Sequence, residues 1–194
     1  MTFRSTLKNS LRRHQATIES LESDGFMASF EQASHLILET LKKGRKILIA
    51  GNGGSSADAQ HFAAEFVCKY KEDRSPLPCV ALTTDSSILT SISNDYHFND
   101  VFSRQVLALG QEEDTLIALS TSGNSRNILN AIEAAKSKKT NVIGLTGRSG
   151  GEMKGRCLLL QVDSDETARI QEGHMMILHT FCEIIDTVSW RPIV

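Results

Sequence analysis

His61 and Glu65 stand four residues apart in the stretch KILIAGNGGSSADAQHFAAEFVCKY, residues 46–70. On a helix that spacing makes them neighbours on one face, where an imidazole and a carboxylate can chelate a metal together. Asp58 and Lys69 share the face, so a solvated polar surface with an incidental pair is the other reading, and this helix alone leaves both open. A second set of donors, Gln171, His174 and His179, lies near the end of the chain. Gln171 and His174 are nearly on one helical face. Gln171 and His179 are about 80° apart around the helix and about 12 Å along it, so spacing alone favours His174 as the companion of Gln171, and packed or interfacial histidines remain an alternative.

Two further stretches suit an anion. Gly51, Asn52, Gly53 and Gly54 form a glycine turn before a helix that Ser55 or Ser56 is placed to cap, and the first amides of such a helix would stabilise a phosphate without any lysine. Ser120, Thr121, Ser122, Gly123, Asn124 and Ser125 repeat the arrangement with more hydroxyls, chemistry suited to a phosphate monoester. The nucleotide-binding pattern G-x-x-x-x-G-K-[ST] is absent, and no G-x-G-x-x-G follows a strand.

The elements around these residues alternate. Apolar runs at Ile47–Ala50, Cys79–Leu82, Thr115–Leu119, Val142–Leu145 and Leu158–Val162 read as buried strands. Helical patterns fall between them: one with the stripe Ala59, Phe62, Ala63 and Phe66, one starting near Ser86 and ending around Ser93, Asn94 and Asp95, one from Asn99 to Leu109, one through Ile128, Leu129, Ile132 and Ala135, and a last from about Thr167 to Val188. Asn94 and Asp95 fall on a polar connection. Gly173 is an unusual choice inside the last helix. Strands alternating with helices predict an α/β, doubly wound, flavodoxin-like parallel sheet of five strands with flanking helices. Ligands would bind outside the carboxyl ends of its strands. Two amphipathic helices, over residues 2–23 and from Phe26 to Leu41, precede the first strand, and a partner subunit is a plausible cover for their apolar faces.

The 194 residues are 40% hydrophobic and 23% charged, enough for one filled core. With 21 Lys+Arg against 23 Asp+Glu the formal charge of -2 offers no general attraction to nucleic acid or acidic lipid. No run of 18 apolar residues suggests a membrane span, and the opening residues lack the apolar core of a signal peptide. Cys68, Cys79, Cys157 and Cys182 form no C-x-x-C pair and read as buried free thiols, which points to the cytoplasm.

The segments GNGGSSADAQHFAAEF (51–66), SNDYHFNDVFSRQV (93–106), STSGNS (120–125) and RIQEGHMMILH (169–179), in this order and spacing, resemble the phosphoheptose isomerases of the sugar-isomerase (SIS) domain superfamily. The resemblance runs over nearly the whole chain. It implies one SIS domain over residues 1–194, with the helices at about 2–43 used in assembly into a homotetramer. The activity implied is sedoheptulose 7-phosphate isomerisation to D-glycero-D-manno-heptose 7-phosphate, toward heptose of the lipopolysaccharide core or other surface glycans. By matching positions, His61, Glu65, Gln171 and His179 correspond to ligands of a Zn²⁺ ion, with Glu65 as base and His179 as acid, so the resemblance selects His179 where spacing favours His174. Asn52, Gly53, Gly54, Ser55, Glu65, Asn94, Asp95, Ser120, Thr121, Ser122, Ser125 and Gln171 correspond to substrate contacts. Two competing readings are a non-catalytic SIS protein associated with the bacterial replication initiator and a sugar-phosphate sensor in a regulator. The intact Glu65 and His179 argue against the first, and the lack of an attached DNA-binding module weakens the second.

Overall fold

The computed structural model describes residues 2–190. Two helices, α1 (Phe3–Glu19) and α2 (Asp24–Lys42), lead into β1 (Ile47–Ala50), α3 (Gly54–Val67) and β2 (Cys79–Ala81). Then come α4 (Ser86–Asp95), α5 (Ser103–Leu109), β3 (Thr115–Leu119), α6 (Arg126–Ser137), β4 (Asn141–Gly147), β5 (Leu158–Val162) and α7 (Thr167–Asp186). The five strands form one sheet in the order β2-β1-β3-β4-β5, every neighbouring pair parallel. This is the doubly wound arrangement expected from the alternation of elements.

Both faces of the sheet are covered because successive strand residues point to opposite sides and most are apolar on both. Ile47, Ile49, Ile117 and Leu119 pack with Ala33, Ile37, Phe62, Phe66, Ile177 and Phe181 from α2, α3 and α7. Leu48, Ala50, Leu116 and Ala118 pack on the other side with Ile92, Val106, Ile128, Leu129 and Ile132 from α4, α5 and α6. The chain leaves β1 toward one face through α3 and leaves β3 toward the other through α6. The turns after these adjacent strands therefore part and open a crevice at the carboxyl edge.

Several boundaries differ from the sequence expectation. The first helix stops at Glu19 and a 3-10 turn covers Ser20–Glu22. The helix expected from Asn99 is a 3-10 turn at Phe98–Asp100 followed by α5. Asn94 and Asp95 are the last residues of α4, not a connection. Cys79 and Cys182 are buried, but Cys68 is exposed and Cys157 half-buried. Gly173 has a packing reason: a Cβ there would stand 2.8 Å from Val162 Cγ1, so its absence lets α7 lie close on β5. Among the described residues no helix is long and apolar enough to cross a membrane.

Candidate functional site

The crevice between the two turns is a cavity of ≈ 290 Å³ lined by Asn52, Gly53, Gly54, Ser55, Leu119, Ser120, Thr121, Ser125, Thr167 and Gln171. One wall is the start of α3. Gly53 precedes it at φ 56°, a conformation that favours glycine, and neither Ser55 nor Ser56 caps it: the helix begins at Gly54, and Ser55, 3% exposed, lies within its first turn. The other wall is the turn after β3, where Ser120 Oγ donates to Ser125 Oγ at 3.1 Å. Ser122 lies outside the lining, its Oγ accepting the Asn124 amide at 3.1 Å. Among the described residues no lysine or arginine lines the cavity. Its polar groups are hydroxyls, two amide side chains and the amides at a helix start, a set suited to a compact anion.

Gln171 reaches the cavity from the first turns of α7 because the β1–α3 turn has no side chain in its way. A Cβ on Gly54 would run into Gln171 Nε2. Two turns further along α7, His179 Nε2 lies 3.3 Å from His61 Nε2, and His61 Nε2 lies 3.2 Å from Glu65 Oε1. The Tyr70 ring flanks His179 at 5.5 Å between centroids. His174, favoured by spacing, is wholly buried instead, with neither ring nitrogen hydrogen-bonded. Burial pushes its pKa down to about 4 against the opposing Thr146 backbone, so the ring is neutral. It belongs to the buried stripe of α7 with Ile170, Ile177, Leu178 and Phe181.

Among the described residues no group of three or more His, Cys, Asp or Glu side chains is gathered as a ready ion site. His61, Glu65 and His179 instead meet as a chain through His61. The donor set nevertheless suits Zn²⁺: two imidazole nitrogens and a carboxylate, with separations of 3.2 and 3.3 Å. Asp58, one turn before His61, has an unpartnered Oδ2 among the described residues, and burial raises its carboxyl above the ordinary value against the pull of His61.

The relative placement of α3 and α7 is held from behind. Arg74 Nη2 donates to the Glu65 carbonyl at 2.7 Å and Nη1 to that of Phe66 at 2.9 Å, while Nε donates to Asp186 Oδ1 on α7 at 3.0 Å. Asp186 Oδ2 accepts the Lys71 and Glu72 amides at 2.8 and 3.0 Å. Burial pushes the Asp186 carboxyl up, but the two amides and Arg74 outweigh it and hold it below the usual carboxylate range.

The structure thus brings Asn52, Gly53, Gly54, Ser55, Ser120, Thr121, Ser125 and Gln171 to one cavity, and His61, Glu65 and His179 to one cluster beyond it. Asn94 and Asp95 stay outside both, exposed at the end of α4 and bonded to each other through Asn94 Nδ2 and Asp95 Oδ1. Thr167 in the lining, Asn127 behind it and the Arg74–Asp186 pair carry no sequence signal of their own.

A family model described as SIS domain matches residues 10–147. The phosphoheptose isomerase of Campylobacter concisus is 53% identical over 181 residues, covering 93% of this chain and 95% of that protein. The phosphoheptose isomerase of Campylobacter jejuni is 55% identical over 166 residues, 85% of this chain and 89% of that one. Among solved structures, phosphoheptose isomerase from Francisella tularensis superposes with TM-score 0.91 at 38% identity, covering 97% of this chain and 100% of that one. The Neisseria gonorrhoeae phosphoheptose isomerase does so with TM-score 0.88 at 43% identity, covering 95% and 100%.

Proposed function

The chain belongs to the phosphoheptose isomerases of the SIS domain family, and from that membership we propose that it interconverts sedoheptulose 7-phosphate and D-glycero-D-manno-heptose 7-phosphate through an enediolate. The carrying observation is the meeting of Glu65, His61 and His179 across α3 and α7, two turns of α7 beyond a cation-free polar cavity. The phosphate sits in the cavity, and the reacting end of the sugar chain reaches the cluster.

Ketose to aldose conversion moves one proton from C1 to C2 and another from the C1 oxygen to the C2 oxygen. Glu65 takes the C1 proton and returns it to C2, as a positioned carboxylate does in general base catalysis. His179 moves the proton between the two oxygens. The cavity holds the phosphate as a remote handle, which keeps the carbon acid in line with Glu65. His61, Glu65, Gln171 and His179 are the residues that would hold Zn²⁺, which when bound supplies Lewis acidity toward the substrate oxygens.

Assembly into a homotetramer is part of the proposal. Leu7 and Leu11 on α1 are 62% and 57% exposed, and an apolar groove between α1, α2 and α7 is lined by Ile18, Phe26, Met27, Phe30 and Met176. Asn94 and Asp95 are assigned to the site of a neighbouring subunit. Surface-heptose synthesis in the cytoplasm is the setting that suits this product. Incubation of zinc-replete protein with sedoheptulose 7-phosphate in deuterated water tests the reaction: NMR should show the aldose with deuterium at C2. Glu65→Gln should cut turnover by about 10² to 10⁴-fold with sugar-phosphate binding retained. Wild-type turnover in that variant at equal metal content refutes the role of Glu65.

A further inference from the structure

Asn127, the second residue of α6, is 3% exposed and lies behind the cavity, outside its lining. Its side chain closes a reciprocal pair with Asn52: Asn52 Nδ2 donates to Asn127 Oδ1 at 2.9 Å, and Asn127 Nδ2 donates to Asn52 Oδ1 at 2.8 Å. Each amide gives and receives. Exchanging oxygen and nitrogen at both residues leaves the pair intact, whereas exchanging them at one sets like atoms against each other at both contacts. The two side chains therefore fix each other's orientation.

What the pair joins gives it a consequence for binding. Asn52 belongs to the turn after β1, and Asn127 follows directly on the turn after β3; the residues are 75 apart in sequence. The pair bridges the floor of the crevice between the two walls of the cavity. The walls have no ion pair across them among the described residues, and the strands beneath them end at Ala50 and Leu119. The amide pair thus ties the glycine turn before α3 to the start of α6, next to the hydroxyl-bearing turn, at the point where the sheet no longer does. A turn of the Asn52 side chain toward a ligand would break both bonds and leave the buried Asn127 amide unpaired, a costly arrangement.

We propose that Asn127 is a positioning residue for phosphate recognition: paired with Asn52, it sets the separation of the two turns so that amides of one and hydroxyls of the other close on the same phosphate. This rests on the phosphate assignment of the cavity. It also gives Asn52 a new part, offering the substrate its backbone while its amide is held by Asn127.

The test compares wild type, Asn127→Ala, Asn127→Ser, Asn52→Ala and the double alanine variant. Inorganic phosphate binding is measured by calorimetry on chelator-treated protein, and KM with sedoheptulose 7-phosphate on the zinc-replete enzyme. Asn127→Ser leaves a small polar side chain in the buried position and secures the test if the alanine variant does not fold. Each single variant should weaken phosphate about tenfold, as expected for a broken buried hydrogen-bonded pair. KM should rise by the same factor, and the double variant should be no weaker than either single one. Losses that add in the double variant overturn the proposal, because Asn127 then acts without Asn52. A lower melting temperature with wild-type phosphate affinity also overturns it, as a packing role. Wild-type protein that binds neither phosphate nor sedoheptulose 7-phosphate overturns the cavity assignment itself, and the proposal with it.

Discussion

Replacing Arg74 by Met tests whether the clamp behind the site holds α3 against α7. The substitution keeps the length of the stem and removes the fork. Arg74 and Asp186 are each only 6% exposed, so their interaction lacks the screening that makes surface pairs nearly neutral. The variant takes the guanidinium donor from the Glu65 carbonyl, leaves the Phe66 carbonyl only the Leu77 amide, and leaves Asp186 with two amides and no directly bonded counter-charge. Removing one partner of a buried pair costs about 3–5 kcal/mol, which for a chain of this length lowers the melting temperature on the order of 10 °C. Arg74→Lys should lose less, since an ammonium keeps the charge but cannot serve Asp186 and two carbonyls in one plane. The pH dependence has a definite sign. The folded Asp186 carboxyl is depressed, so its contribution is present above the unfolded carboxylate value of about 3.9 and is lost as pH falls through the folded one. Urea denaturation at fixed protein concentration should give a difference between wild type and Arg74→Met that is flat from pH 7 to about pH 5 and shrinks below about pH 4. A difference under about 1 kcal/mol at pH 7, the range of an exposed pair, would refute the reasoning.

Three other expectations can be checked directly. Gly54→Ala places a Cβ against Gln171 Nε2, so chelator competition should show zinc affinity falling about tenfold or more; unchanged affinity removes Gln171 from the metal set. The triple variant Ser120→Ala, Thr121→Ala, Ser122→Ala should lose phosphate affinity by calorimetry on metal-free protein, and wild-type affinity would sink the phosphate assignment. Charges on the exposed stripe of α1, Leu7→Glu with Leu11→Glu, should give a smaller species by light scattering; an unchanged tetramer would mean that α1 does not build the interface.

The sheet was legible because each strand is a short, mostly apolar run, with β1 and β3 buried on both faces, a pattern that survives without knowledge of its neighbours. The α3 stripe was legible for the same reason: Ala59, Phe62, Ala63 and Phe66 are all buried. The glycine and serine turns announced their cavity through residue types that only a tight, polar turn collects. Spacing failed on α7, where it favoured His174. Two residues on one face are neighbours only if that face meets the site, and the face of His174 meets the core while His179 meets His61. Arg74 and Asp186, 112 residues apart, and Asn52 and Asn127, 75 apart, gave no signal because an arginine in a loop or an asparagine near a helix start is ordinary until its partner is seen. Asn94 and Asp95 read as a connection because polar residues favour turns, yet tertiary context extends α4 through them.

The cavity without a lysine or arginine in its lining bears on reversibility. In the proposed reaction ketose and aldose carry the same phosphate, so contacts to it would hold both alike, and such uniform binding lowers KM without speeding the chemical step. A cationic clamp would add affinity to both sides of the reaction and slow the departure of each. Dipoles and hydroxyls act at short range and are little screened by salt, whereas attraction to a charged clamp weakens beyond about 8–10 Å at physiological ionic strength. On the proposed phosphate assignment, the cavity forgoes long-range capture of the anion by a charged side chain in return for an affinity that ionic strength barely changes.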